Sequence, residues 1–154
     1  MQRSINIFDK LGSLIPGYRG YAERNNRRQS ERILRDSICH VLESCERTIS
    51  EKTAADLKIK KYTQVEEFED CRKKINTLHD RIQYAPYGES AFFSNEQLKE
   101  DELLKIYQID LTILEKANTL KIGIPSLDLP EVILKIQEIE RSFDARNEFI
   151  KEYK

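Results

Sequence analysis

Apolar residues recur every three or four positions along most of this 154-residue chain. That is the spacing of helices with one buried face. Leu34, Ile38, Val41, Leu42, Cys45 and Ile49 form a first stripe, which predicts a helix from about Tyr21 to Ser50. Val65, Phe68, Ile75, Leu78 and Ile82 form a second, opened by a Thr63-x-x-Glu66 capping box and closed by Pro86-Tyr87-Gly88. Leu104, Tyr107, Leu111, Leu114 and Leu120 mark a third, with Ser94-x-x-Gln97 as its cap and an end near Lys121. Gly123 stands where a left-handed terminating glycine belongs, and Pro125 blocks continuation. Asp128-x-x-Glu131 caps the last helix, with Leu127 and Val132 as its hydrophobic staple. Val132, Ile133, Ile136, Ile139, Phe143 and Ile150 give that helix its apolar face.

Register decides the topology. No Gly or Pro separates the first two stripes, so one continuous helix of about 95 Å would satisfy the local sequence at 1.5 Å per residue. The first stripe repeats as Leu34/Val41 and Ile38/Cys45, the second as Phe68/Ile75/Ile82 and Cys71/Leu78. These share no heptad frame, which predicts a break near residues 51–62 and a coiled-coil-like hairpin.

Four long helices with short connections fold as antiparallel neighbours. The expected fold is therefore all-α, an up-down-up-down four-helix bundle in one domain spanning 1–154. Residues 1–20 would be an N-terminal flap and turn, and 21–154 the bundle. Residues 3–11 fit a short amphipathic helix ending at Gly12, with Ile7, Leu11 and Leu14 on one face. A membrane-surface anchor and a lid over one end of the core both fit it; the lid is favoured, since only Arg3 and Lys10 are basic. Alternating directions would bring Tyr18, Tyr21, Tyr84, Tyr87, Phe92, Phe93 and Tyr153 to the same end of the bundle.

Composition adds limits. Charged residues are 34% of the chain and apolar ones 39%, with a formal net charge of −1. Such a balance offers no broad basic face for nucleic acid. No apolar run reaches the ~18–20 residues of a membrane span, and the first residues lack a signal-peptide pattern. The three cysteines, Cys39, Cys45 and Cys71, form no C-x-x-C pair, which predicts free thiols in a reducing compartment and hence a cytoplasmic protein.

Two stretches are chemically unusual. Ala22 to Arg32 has no apolar residue after Ala22, so it either projects beyond the core or packs through charged pairs. At 100° per residue Arg24, Arg28, Arg32 and Arg35 share a sector of about 80°. Planar guanidinium forks at a helix N-terminus suit phosphate or carboxylate. Glu23, Glu31, Asp36 or carboxylates of other helices could equally neutralise them as structural pairs. The second stretch is Tyr84–Phe93, with four of the thirteen aromatics. Exposed, they would make a partner-binding patch; turned inward, Phe92 and Phe93 would plug the bundle end with Tyr87 at the rim.

Ile15-Pro16-Gly17-Tyr18-Arg19-Gly20-Tyr21, followed by Arg24 and Arg27-Arg28, resembles the opening of a family of short bacterial helical proteins. The Tyr-Gly-x-Ser-x-Phe-Phe loop at Tyr87–Phe93 resembles the same family. The resemblance implies that the two motifs belong to one feature, and it carries over no catalytic residue.

Catalytic and metal motifs are missing from the sequence. A di-iron bundle needs Glu-x-x-His, but Asn76 precedes His79 and Ser37 precedes His40 at that spacing. There is no nucleophile elbow, phosphate loop or dinucleotide fingerprint, so no cofactor is expected. The sequence points to a non-enzymatic module that binds a protein partner, including one held at a membrane surface. Its expected binding residues are Tyr18, Arg19, Tyr21, Arg24, Arg28, Arg32, Tyr87, Phe92 and Phe93. The alternative is a small enzyme or sensor that takes a phosphorylated or other anionic ligand at the same end.

Overall fold

The computed structural model describes residues 6–85, 91–94, 97–126 and 128–153. Among them are six helices and no strand: α1 (Ile7–Leu14), α2 (Arg24–Lys58), α3 (Val65–Tyr84), α4 (Ala91–Ser94), α5 (Glu100–Gly123) and α6 (Leu129–Glu152). The helix α2 packs on α3 and α5, and α6 packs on the same two, so each long helix touches two others around one core. The short α1 lies against α5, and α4 against α2. No helix among the described residues is long and apolar enough to cross a membrane.

The apolar stripes are buried largely as their spacing predicts. Leu34, Ile38, Leu42, Cys45 and Ile49 of α2 meet Cys71, Ile75, Leu78 and Ile82 of α3 and the Val132–Ile150 face of α6 in one cluster. In α5 the buried face is rotated from the predicted one. Leu104 is half exposed, and the inward positions are Ile106, Tyr107, Asp110, Ile113, Leu114, Ala117 and Leu120. Burial pushes the Cys39 thiol up to about 12 and the Cys45 thiol up to about 11. All three cysteines are free and buried.

Several boundaries differ from expectation, each for a local reason. The first break comes at residues 59–64, at the end of the predicted window and two residues beyond it, because α2 continues to Lys58. It uses no glycine. Lys60 adopts a left-handed φ of 58°, and Lys61 N–H reaches the Asp56 carbonyl at 2.8 Å while Lys60 N–H reaches Leu57 at 3.2 Å. That is a Schellman pair of hydrogen bonds with lysine at the residue usually occupied by glycine. Gln64, not Thr63, is the N-cap of α3, and it makes no side-chain cap bond. Helix α5 starts at Glu100 rather than near Ser94; Glu102 Oε2 accepts from Lys99 N–H at 3.1 Å.

At the far end of α5, Gly123 is the last helical residue and Ile124 caps the helix in right-handed geometry. Gly12 lies inside α1, whose N-cap Asn6 accepts from Phe8 N–H at 2.7 Å. The Asp128 cap forms as predicted, with Oδ1 accepting from Glu131 N–H at 2.9 Å; Leu127, its expected staple partner, lies outside the described residues.

His79 ties α3 to α2. Its ring sits 2.9 Å from Glu43 and from Asp80. Burial pulls its pKa down, and the two carboxylates together outweigh that and raise it.

Candidate functional site

The polar first turns of α2 are not a projection. They enter the core through charge. Arg27, Ser30, Glu31 and Arg35 are all buried, Arg27 and Glu31 almost completely. Facing them are Asp110 from α5 and Arg146 from α6, also fully buried.

Arg146 is the hub of this cluster. Its Nε donates to Asp110 Oδ1 at 2.7 Å, one Nη to Glu31 Oε1 at 3.1 Å and the other to the Tyr21 hydroxyl at 3.0 Å. Glu31 Oε1 also accepts from Arg35 at 2.7 and 3.0 Å. Asp110 Oδ2 accepts from the hydroxyls of Tyr21 at 2.5 Å and Tyr18 at 3.2 Å. Two carboxylates thus face the guanidiniums of Arg35 and Arg146, and the buried Arg27 adds a third positive charge beside them. Among the described residues, Glu31 Oε2 is the one buried side-chain oxygen or nitrogen with no hydrogen-bond partner.

Burial disfavours the Arg146 charge, but Asp110, Tyr21 and Glu31 around it hold its pKa well above the usual value. Burial raises the Tyr21 and Tyr18 hydroxyls, and the neighbouring carboxylate of Asp110 raises them further. Both phenols are therefore neutral donors. Asp110 feels opposing effects: burial pushes its carboxyl up, while Arg146 and the two tyrosines pull it down.

Around this cluster the aromatic rings close the end of the molecule. Tyr21 stacks on Tyr107 at 5.8 Å between centroids and meets Phe92 edge-on at 5.3 Å. Phe92 in turn contacts Phe93, Phe149 and Tyr153. Arg27 runs through the same layer, donating to the carbonyls of Tyr21 at 2.8 Å and Phe92 at 3.1 Å. Arg35 donates to the carbonyls of Ile82 and Ala85 where α3 ends. These bonds gather the start of α2, the end of α3, the start of α5 and the end of α6 at one pole. Gly20 makes that possible: its φ is +78°, and a Cβ there would fall 2.5 Å from Tyr107 Oη and 2.6 Å from the Phe8 ring.

The expected site residues divide accordingly. Tyr18, Tyr21, Phe92 and Phe93 are buried, and Tyr87 lies outside the described residues. Tyr84 is 74% exposed. Arg24, Arg28 and Arg32 are exposed on α2. Arg24 makes one long hydrogen bond to the Ser94 carbonyl, and Arg28 lies over the Phe93 ring at 5.1 Å. Arg19 lies elsewhere, in an open groove of about 750 Å³ lined also by Phe8, Glu100, Asp101, Leu104 and Tyr107. The Arg35 of the predicted stripe belongs to the interior.

The sequence pattern names Glu31 as a possible partner of the arginines and Arg27 as part of the opening motif, but singles out neither Asp110 nor Arg146. A signal for these two exists. The spacing of Ile106, Ile113, Ala117 and Leu120 runs through Asp110, and that of Val132, Ile136, Ile139, Phe143 and Ile150 runs through Arg146. A charged residue on an otherwise apolar stripe is an expected buried charge.

No family model matches the chain, and no curated protein or solved structure matches it. Among the described residues, no group of three or more His, Cys, Asp or Glu side chains is placed to hold a metal ion.

Proposed function

We propose that this protein is a non-enzymatic interaction module. In this proposal α2, α3, α5 and α6 form an antiparallel up-down-up-down bundle, and the stripe Arg24, Arg28 and Arg32 is its binding surface. The partner is a protein that presents carboxylates or phosphates to that stripe. One observation carries the reading: these three arginines are exposed and, among the described residues, none has a carboxylate within ion-pair distance. The buried arginines Arg35 and Arg146 of the same pole are paired with Glu31. The fold thus pairs Arg35 and Arg146 with carboxylates and, among the described residues, gives Arg24, Arg28 and Arg32 none, which leaves their charge for a ligand.

The aromatic residues have a supporting role in this proposal. Phe93 holds Arg28 by its ring face, and Tyr18, Tyr21 and Phe92 fix the start of α2 from which the stripe projects. Three arginines along the convex side of one helix suit an extended acidic segment. A small phosphorylated metabolite would need groups converging into a concavity, so the protein partner is the better supported ligand. The buried free thiols support placing the module in a reducing compartment, the cytoplasm.

Charge separates this proposal from a purely structural role for the stripe. Arg24→Ala/Arg28→Ala/Arg32→Ala should unfold within about 0.5 kcal/mol per site of wild type, the usual range for exposed positions. In affinity capture from cell extract, the Arg→Glu version should lose partners that wild type retains, and wild type should lose them as salt rises. A denaturant midpoint showing several kcal/mol lost in the alanine variant would make the stripe structural and end the proposal.

A further inference from the structure

At the opposite pole, α2 and α3 extend as a two-helix finger. No residue between Ile49 and Cys71 is fully buried. Lys52 donates to the carbonyls of Ile124 and Pro125, which marks the level where α5 ends. From there α2 continues six residues, about 9 Å at 1.5 Å per residue, before the turn. The finger tip reads Leu57-Lys58-Ile59-Lys60-Lys61-Tyr62. Its apolar members are 46%, 70% and 61% exposed for Leu57, Ile59 and Tyr62. Lys58, Lys60 and Lys61 are exposed and enter no ion pair among the described residues.

We propose that this tip is a contact site for an anionic lipid surface, with Ile59 and Tyr62 entering the headgroup region and the three lysines held against the lipid charge. A convex tip of alternating cationic and apolar residues matches such a surface in both shape and charge. A soluble partner would instead need a matching cavity. The backbone supplies an independent observation. Lys60 holds a left-handed φ of 58° where glycine would be unstrained. Strain retained at an exposed turn is accounted for if the charge at that position is used. Acidic side chains stand behind the tip on both helices, Asp56 directly before it on α2 and Glu66 and Glu67 one turn after it on α3, so only the end of the finger is attractive to an anionic surface. Binding is therefore end-on and, with a single cationic-apolar signal, reversible.

Vesicle co-sedimentation tests this. Wild type should bind vesicles of phosphatidylcholine with added phosphatidylserine, and not vesicles of phosphatidylcholine alone. Affinity should fall roughly fivefold for each lysine removed. Lys58→Glu/Lys60→Glu/Lys61→Glu should abolish binding, and Ile59→Ser/Tyr62→Ser should weaken what persists at raised salt. Lys73→Glu/Lys74→Glu, on the exposed side of α3, should leave it intact. Lys60→Gly guards against misfolding as the cause: it should raise thermal stability while still weakening binding. The proposal is overturned if wild type ignores the anionic vesicles, or if the triple lysine variant still binds. It is equally overturned if wild type is a dimer that Ile59→Ser/Tyr62→Ser makes monomeric, because the tip would then serve a second copy of the chain.

Discussion

Arg146→Met should be among the most damaging substitutions in the protein, costing roughly 3–5 kcal/mol. The native guanidinium is fully buried and compensates two carboxylates, Asp110 at 2.7 Å and Glu31 at 3.1 Å. Methionine fills similar space but leaves Asp110 with only tyrosine hydroxyls and Glu31 with Arg35 alone. Against a total stability of about 5–15 kcal/mol, the loss lowers the melting temperature by something like 10 °C or more. Because the cause is a stranded charge, removing the charge should help. Arg146→Met/Asp110→Leu should recover part of the loss, giving a favourable coupling in the double-mutant cycle. The deficit should also depend on pH. Without Arg146 the folded-state pKa of Asp110 rises further above its unfolded value, so the folded form takes up a proton more readily. The penalty must then shrink as pH falls from 7 toward about 5. Denaturant melts at two pH values decide it. A loss that is additive and independent of pH would mean that Arg146 contributes as packing volume, not charge.

How far this arrangement can be read from sequence depends on which force places each residue. Aliphatic burial follows the three-four spacing, so the faces of α2, α3 and α6 are legible from Ile38, Ile75 or Ile136 alone. The hairpin was visible too, through the shift in heptad frame between Val41 and Phe68. Its exact position was not, because the turn closes with a left-handed Lys60 where sequence rules look for glycine. Charged residues are harder. An arginine is exposed by default, so five arginines on the early α2 look alike in a linear reading. What separates Arg27 and Arg35 from Arg24, Arg28 and Arg32 is burial against groups far along the chain. Arg27 and Arg35 each reach a backbone carbonyl roughly fifty or more positions away, and Glu31 meets Arg146 across 115 positions. Those separations leave no local trace except the interruption of an apolar stripe by Asp110 and Arg146.

The buried pole also explains why the exposed stripe is held in place. Arg24 begins the first turn of α2, and its direction is set by the segment just before it, Gly17 to Glu23. Tyr21 anchors that segment three ways: its N–H on Tyr107, its hydroxyl on Asp110, and its carbonyl on Arg27. The first two draw the chain tight against α5, and the third ties it back to α2 itself. The proposed binding surface and the buried charge cluster are therefore opposite sides of the same first turns, and a fault in one should be felt in the other.

Gly20→Ala should show that dependence and rank with Arg146→Met in severity. Two costs combine. An L-residue at φ +78° is strained by about 1–2 kcal/mol. A methyl group there would also sit 2.5 Å from Tyr107 Oη and 2.6 Å from the Phe8 ring, inside any real contact distance. Tyr107 cannot retreat without giving up the hydrogen bond from Tyr21 N–H, 3.0 Å long. Phe8 is packed against both Tyr18 and Tyr107. Relieving such crowding typically costs a further 1–3 kcal/mol, so the total should lie at roughly 2–5 kcal/mol. Gly17→Ala is the matched control. Its φ is +83°, nearly the same, but its new methyl would meet only Ile33 at an ordinary 3.6 Å. It should therefore carry the backbone strain alone, about 1–2 kcal/mol. Urea melts of the two variants measure the difference, which is the crowding itself. If Gly20→Ala proves no worse than Gly17→Ala, the chain does not approach Tyr107 this closely, and the anchoring of the α2 start has to be redrawn.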